Sequence, residues 1–462
     1  MSLLIDVMIG GAMGAVDYQS AFQADDITTD GMKLAIKDWY SLYYQTEPEK
    51  GEDPCQQIPY TIVRKLTKTA FSEYHASSRS ESEFVQKVLD ELDKKKNSVM
   101  QKTLIGGCCF IKPTPTKEGF RFSIVDRGNI LVFGRDSDGH MIDIGTGETT
   151  AYGTNYYTLL ERRTVTPEGY LTIRNALYRS STKGSLGQRV PLSALERYAG
   201  LPDEYTFPQR IGIGMAEMRT PMENCVDGSA DAVSVYAAAV RLIHNINRNE
   251  AQLNGEFERG ESRIIVSADM MTRRKDGTRT FSDHVFVGLN DDQETVGVNI
   301  FSPELREQSF LARKTEYLRN VESMIGLKRG LLSEVEAAER TAKEITSSEG
   351  DYNLTIVDFQ NSWMDAVYET VRICGILGKL YHVQGATEVD PQEDVMFDFG
   401  NGILYDEEAT WADMKDQVAR GLLKPEIAVG WRYGMPYETE ADLQKIRKKY
   451  MPDVLDDEGG VI

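Results

Sequence analysis

The sequence lacks the features of membrane and secreted proteins. Its 462 residues contain no apolar run near the roughly 18–20 residues that a helix needs to span a bilayer. The apolar, glycine-rich start has no basic region of the kind that opens a signal peptide, and we interpret it as a short helix or arm. The five cysteines are odd in number and scattered, and the adjacent pair Cys108 and Cys109 has poor geometry for an ordinary disulfide. These absences indicate a reducing, intracellular folding site and no membrane partner.

The sequence also has too little positive charge for a protein that grips nucleic acid tightly. It carries 52 Lys and Arg against 72 Asp and Glu, a net charge of −20. Tight phosphate binding needs clustered Lys and Arg that displace counterions. A surface that must let DNA pass without holding it is better acidic, because repulsion keeps the duplex from sticking. The charge therefore excludes a tight DNA binder but not a protein that DNA passes through.

Motifs for catalysis and cofactors are missing. There is no GxxxxGKS/T phosphate loop, no HExxH and no CxxC pair, so ATPase and zinc sites lack their required residues. The run GGAMGAV has no preceding strand and favours an arm over a dinucleotide loop. Asp136, Asp138 and Asp143 lack calcium-loop spacing, and DSDG reads as a hairpin turn. We predict no catalytic residue, no cofactor and no metal, although a Ser-His-Asp or Cys-His site assembled in space stays open.

The residue pattern predicts an α+β protein of two to four modules, since the chain is too long for one ordinary core. Helical spacing covers residues 30–48, 58–74 and 80–103. From 106 to 179 the period changes to two between Gly, Asp and Asn turns, which predicts an antiparallel β meander. Beyond residue 333 we expect a helical stretch to about 377, a lone strand at 394–399, and helices at 407–420 and 438–450.

The most informative stretch lies between Met222 and Gln360. Apolar residues recur at helical spacing from Val226 to Ile243, and the sequence turns almost wholly polar from His244 onward. One helix between residues 221 and 255 would therefore leave the protein body halfway along its length. Strand candidates follow at 263–270, 281–289 and 295–301, with a turn at 275–278, and a second helix is expected at 303–325. This order predicts an antiparallel pair of stalk helices that carries a small β module.

Lys328 and Arg329 lie between Gly326 and Gly330 on a short loop that joins two helices. Taken alone, they are best explained as charges at a helix end, where cations favour the C-terminus and glycine ends the helix.

The order of the segments resembles that of a tailed-bacteriophage portal protein, the siphovirus-type head-to-tail connector. Gln56–Phe71 resembles the early helix of that family, Gly228–Met271 its stem helix entering the clip, and Arg340–Ile356 the start of the helix behind its tunnel loop. Phe397–Val429 is similar to the strand that leads into the crown. The resemblance implies a portal fold with a β-rich wing, a helical stem, a small α/β clip and an α-helical crown. It divides the chain into N-terminal arm and wing (1–225), stem helix (226–258), clip (259–302), stem helix (303–326), tunnel loop (327–339), long wing helix and wing strand (340–400), and crown with C-terminal tail (401–462).

The resemblance also implies a function. Portal proteins form a homo-oligomeric ring, typically of twelve subunits, whose channel at one capsid vertex serves packaging, retention and ejection of double-stranded DNA. The implied partners are the terminase large subunit, a head-completion or adaptor protein, the major capsid and scaffolding proteins, and DNA that is bound transiently and without sequence preference. The implied location is the virion, after assembly in the host cytoplasm.

Two sets of site residues follow from the resemblance. The tunnel loop would contain Leu327, Lys328, Arg329, Gly330, Leu331, Leu332 and Ser333, and it is shorter and less glycine-rich than many loops of the family. The docking surface of the clip would contain Arg273, Arg274, Lys275, Asp276 and Arg279. Two alternatives stay open: a minor head or connector protein without a channel, and a cytosolic enzyme with an unrecognised active site.

Overall fold

The computed structural model is a mixed helix and sheet protein, which confirms the α+β class. It describes residues 18–44, 55–259, 263–266, 272–273, 279–280, 298–301, 306–333, 342–400, 407–433, 435–437 and 439–451. Within these ranges, no helix is both long enough and apolar enough to cross a bilayer.

The first described module is helical. It contains α1 (Asp30–Tyr44), α2 (Ile58–Ala70), the short strand β1 (His75–Ser78), α3 (Glu83–Asp93) and α4 (Lys96–Gly106). A single helix over 80–103 was expected, and the structure has two. The apolar stripe of α3 runs through Val88 and Leu92, so its continuation would bring Lys95 or Lys96 onto the buried face. The chain instead turns at Lys94 and restarts, which lets α4 bury Val99 and Met100.

The predicted meander is present but is divided between two antiparallel sheets. Its strands and those that follow are β2 (Cys108–Pro115), β3 (Phe120–Asp126), β4 (Ile130–Arg135), β5 (Met141–Tyr152), β6 (Asn155–Val165), β7 (Leu171–Ser180), β8 (Gln188–Val190), β9 (Glu204–Thr206) and β10 (Ala216–Arg219). The first sheet has the order β10-β2-β3, and the second has the order β4-β5-β6-β7-β8 with β9 also on β7. The chain passes between them at Arg127, which is fully buried and donates to the carbonyl oxygen of Ile130 at 2.9 Å.

The chain between Pro221 and Val240 has no α-helix and only a short 3-10 helix, Ala237–Ala239, so the stem helix predicted from residue 226 is wrong in its first part. Asp231 instead accepts hydrogen bonds from Arg127 and Arg135. The amide of Val235 donates to the carbonyl oxygen of Leu104 at 3.0 Å. Val233 and Tyr236 are buried as the pattern indicated, whereas Val226 and Ala230 are exposed. The segment is irregular because Leu104, Arg127 and Arg135 pair with its polar groups.

Two long helices leave the core side by side. The first, α5 (Val240–Arg259), has 20 residues and a length of about 30 Å. The chain continues through the short strands β11 (Arg263–Val266), β12 (Thr272–Arg273), β13 (Arg279–Thr280) and β14 (Val298–Phe301), and it returns along α6 (Glu307–Ile325). β11 pairs with β14, and β12 pairs with β13, both antiparallel. The expected strand at 281–289 lies outside the described residues.

The last part of the chain supplies the central helix of the core. This helix, α7 (Ala342–Leu380), has 39 residues and buries Ile356, Trp363 and Val371 completely. It is followed by α8 (Pro391–Asp394), β15 (Val395–Asp398), α9 (Glu407–Ala419), α10 (Pro425–Arg432) and α11 (Glu440–Tyr450). The strand expected to stand alone pairs with β1. Helix α10, which the sequence pattern missed, has only eight residues and begins at a proline.

Candidate functional site

Polar contacts hold α5 and α6 together as an antiparallel pair. Arg306, just before α6, binds Glu256 near the end of α5 through two bonds of 2.9 and 2.8 Å. Further along, Lys314 Nζ lies 2.8 Å from Glu250 Oε2. Towards the core, the polar contacts give way to buried apolar residues, including Ile246 and Val321. The predicted stalk is therefore a braced pair of helices rooted in the core.

The outer end of this pair carries the residues predicted for docking. In the register of β12 and β13, Arg273 lies opposite Arg279. Arg274, Lys275 and Asp276 lie outside the described residues. Like charges directly opposite each other on two strands are destabilising. Two cationic positions thus share one register pair at the far end of the helix pair.

The inner end carries the basic loop. Helix α6 ends at Gly326, whose φ of 74° is left-handed, and the amide of Leu327 donates to the carbonyl oxygen of Glu322 at 2.8 Å. This is the glycine-terminated helix end that the sequence indicated. The apolar members of the predicted loop set do not extend outward. Leu327 is buried, and Leu331 and Leu332 pack partly buried against the main core.

The two basic residues of the loop differ in environment. Lys328 is half-buried and Arg329 is exposed. Burial raises the pKa of Tyr352, and the positive charge of Lys328 partly offsets that rise, so Lys328 lies near the phenol of Tyr352 on α7. That phenol lies 2.8 Å from Thr69 Oγ1 on α2. Of the two cations, Arg329 is the one open to solvent in the described structure.

A buried carboxylate that sequence reasoning missed holds the loop in place. Glu322 is fully buried, and its Oε1 accepts from the amides of Gly330 at 3.2 Å, Leu332 at 2.5 Å and Ser333 at 2.9 Å. Its Oε2 accepts from the hydroxyl of Ser333 at 2.8 Å. Lys65 on α2 donates to the carbonyl oxygen of Leu331. One signal could have revealed Glu322, because a carboxylate in the last turn of a helix opposes the macrodipole and so calls for a compensating set of donors.

One group of possible metal ligands is found among the described residues, with a ligand atom of Asp136, of Asp138 and of His140 all within 4.8 Å of one another. Asp136, Asp138 and His140 are exposed on the turn between β4 and β5, where the amide of Asp136 donates to the carbonyl oxygen of His140 at 3.0 Å. This confirms the predicted hairpin turn. Burial raises the pKa of Cys109 to about 12, and Cys108 is also fully buried with a raised pKa. Neither thiol is poised as a nucleophile, since the thiolate is the reactive form.

Comparisons with known proteins give similarity to solved structures alone. No family model and no curated protein matches the sequence. Among solved structures, the chain is similar to one from the "Neck of native GTA particle computed with C12 symmetry", with 10% identity and a TM-score of 0.43 over 82% of this chain and 91% of that chain.

Proposed function

We propose that this chain is a subunit of a portal-type ring that serves as a channel for double-stranded DNA at one capsid vertex. The observation that carries the proposal is the braced pair α5 and α6, which has a β module at its outer end and a pinned basic loop at its inner end. The order of these parts along the chain is that of the portal family, which the sequence resembles. A ring of twelve subunits is the number that this resemblance implies.

The charge of the chain supports a conduit over a binder. With a net charge of −20, the chain as a whole repels the phosphate backbone. The exposed Arg329 and the half-buried Lys328 of the inner loop would then touch DNA transiently without holding it. Affinity for a duplex should be weak, independent of sequence and steeply reduced by salt. A filter-binding assay that found tight, sequence-specific binding would refute the conduit.

Assembly is the first test of the proposal. Purified chain examined by native mass spectrometry and negative-stain microscopy should form a large closed ring. An open oligomer would favour a connector without a channel. A monomer would favour the enzyme alternative.

The basic loop is the second test. Exchanging Lys328 and Arg329 for Ala should leave rings and proheads normal but reduce the DNA packaged or retained per particle. The reason is that the channel would lose the ring of positive charges that these two residues would form when repeated in every subunit. The matched control is Lys448→Ala with Lys449→Ala, two exposed cations on α11. Wild-type DNA content in the loop variant would return Lys328 and Arg329 to the role of helix-end charges.

The outer module is the third test. Deleting residues 259–302 should leave rings intact and abolish docking of the terminase large subunit and the adaptor protein. Reversal of charge at Arg273 and Arg279 should weaken docking without affecting assembly. Monomers after the deletion would show that the module belongs to the assembly surface.

A further inference from the structure

Glu322 binds the chain on both sides of Lys328 and Arg329, the two basic residues that form a short arc between Leu327 and Gly330. The backbone carbonyl of Glu322 accepts from the amide of Leu327 at 2.8 Å, before the arc. Its carboxylate accepts from the amides of Gly330 and Ser333, after the arc. The two basic residues are therefore enclosed between two attachments to the last turn of α6.

We propose that Glu322 is a positioning residue that fixes residues 327–333 to the end of α6 and so sets where Lys328 and Arg329 stand. This inference rests on the proposed function. A polyanion that binds Arg329 is then held by a loop that is fixed to the helix pair α5 and α6 and to the core, rather than by a loop free to move. The Glu322 carboxylate thereby attaches the basic arc to the end of α6, and we call this attachment the latch.

The chemistry of the site explains why a carboxylate stands there. A buried charged acceptor binds several backbone amides more strongly than a neutral one would. Its place at the C-terminal end of α6 opposes the helix dipole, so the residue is not there for the helix itself. Gly326 and Gly330 have φ values of 74° and 92°, which a side chain would strain, and they let the chain fold back onto Glu322. A Cβ on Gly326 would also lie 2.6 Å from Thr355 Oγ1.

The latch can be tested by hydrogen exchange on assembled protein. Glu322→Ala should speed exchange across residues 327–333 by roughly tenfold to a hundredfold, because three amides lose their charged acceptor. Glu322→Gln should have a smaller effect, since its carbonyl oxygen can still accept from the amides. Glu316→Ala is the matched control, an exposed glutamate on the same helix that pairs only within α6, with Arg313 at 2.9 Å. Exchange in β6 should stay unchanged in all variants.

Unchanged exchange across 327–333 in Glu322→Ala would overturn the latch. If that variant does not fold, Glu322→Gln and Ser333→Ala, which removes the 2.8 Å hydroxyl bond to Oε2, carry the same test with smaller expected effects. Wild-type exchange in both would overturn the latch equally.

The second measurement separates the latch from the channel. In particles with matched ring content, Glu322→Ala should lower the DNA retained, as the Lys328 and Arg329 double variant does. Faster exchange with wild-type DNA retention, in a system where the double variant loses DNA, would refute the positioning role. If both variants retain DNA normally, the proposed role of the loop fails and the positioning role with it, while the exchange result still decides whether Glu322 fixes the loop.

Discussion

Replacing Asp231 by Asn should be a strongly destabilising single change. Asp231 Oδ1 lies 3.1 Å from Arg127 Nη2 and 2.6 Å from Arg135 Nη2. Arg127 is fully buried, and no hydrogen-bond partner is found for its Nε within the described structure. Asn keeps the shape of Asp but removes the negative charge that both guanidinium groups face. Removing one partner of a buried ion pair costs about 3–5 kcal/mol, because the other charge stays buried without compensation.

The assay is urea unfolding followed by tryptophan fluorescence, with the slope of the transition checked against wild type. A lower midpoint at an unchanged slope reports a loss of stability. Asp138→Asn, at an exposed turn, is the control and should change stability by less than about 0.5 kcal/mol. Pairing Asp231→Asn with Arg127→Met should recover part of the loss, since the fully buried charge is then removed and only the less buried Arg135 has lost its partner. A loss below about 1 kcal/mol in Asp231→Asn would refute this reasoning.

Three further predictions concern other parts of the chain. Burial alone would raise the pKa of Glu161, but Arg163 and Lys112 outweigh it and lower the pKa to about 2. The stabilisation that Glu161 provides is therefore present above the ordinary glutamate pKa and is lost as pH falls towards 2. Glu161→Gln should be less stable than wild type at pH 7 and lose less stability on acidification, measured by urea unfolding at each pH. Lys314→Met should speed hydrogen exchange in α5 and α6, because Lys314 also bonds Gln56 Oε1 at 2.9 Å, whereas Arg313→Met, at an exposed side chain, should not. Gly107→Ala should lower the urea unfolding midpoint more than Gly153→Ala. Both glycines have positive φ, but only at Gly107 would an added Cβ meet backbone, 2.4 Å from the Ala232 carbonyl oxygen. Equal effects of the two substitutions would contradict the steric argument.

Sequence pattern predicts most of the elements because local periodicity reflects burial. The strands from Cys108 to Ser180 and the polar half of α5 follow directly from alternation and helical spacing. Residues 226–239 show where this reasoning stops. Their apolar spacing is helical, but the partners of Asp231 and Val235 lie about a hundred residues earlier, at Arg127 and Leu104. Tertiary hydrogen bonds of this kind leave no trace in local spacing.

The candidate site divides in the same way. The loop between Gly326 and Gly330 and its two cations can be read from the sequence, since glycine marks the helix end. The role of Glu322 is harder to predict, because its place in the last turn of α6 marks it as unfavourable for the helix but shows neither its burial nor the amides that it binds. The difference in exposure between Lys328 and Arg329 likewise depends on tertiary packing that local spacing does not show.

The pairing of β11 with β14 makes the outer module an insertion in the topological sense. The register places Arg263 opposite Phe301, so the two ends of the segment between them are about 5 Å apart. The rest of the chain needs only that these two ends stay adjacent. A module joined in this way can be lengthened, shortened or exchanged for another hairpin of the same register while the core keeps its connectivity. A chain built in this way can change its outer end without changing the body that carries it.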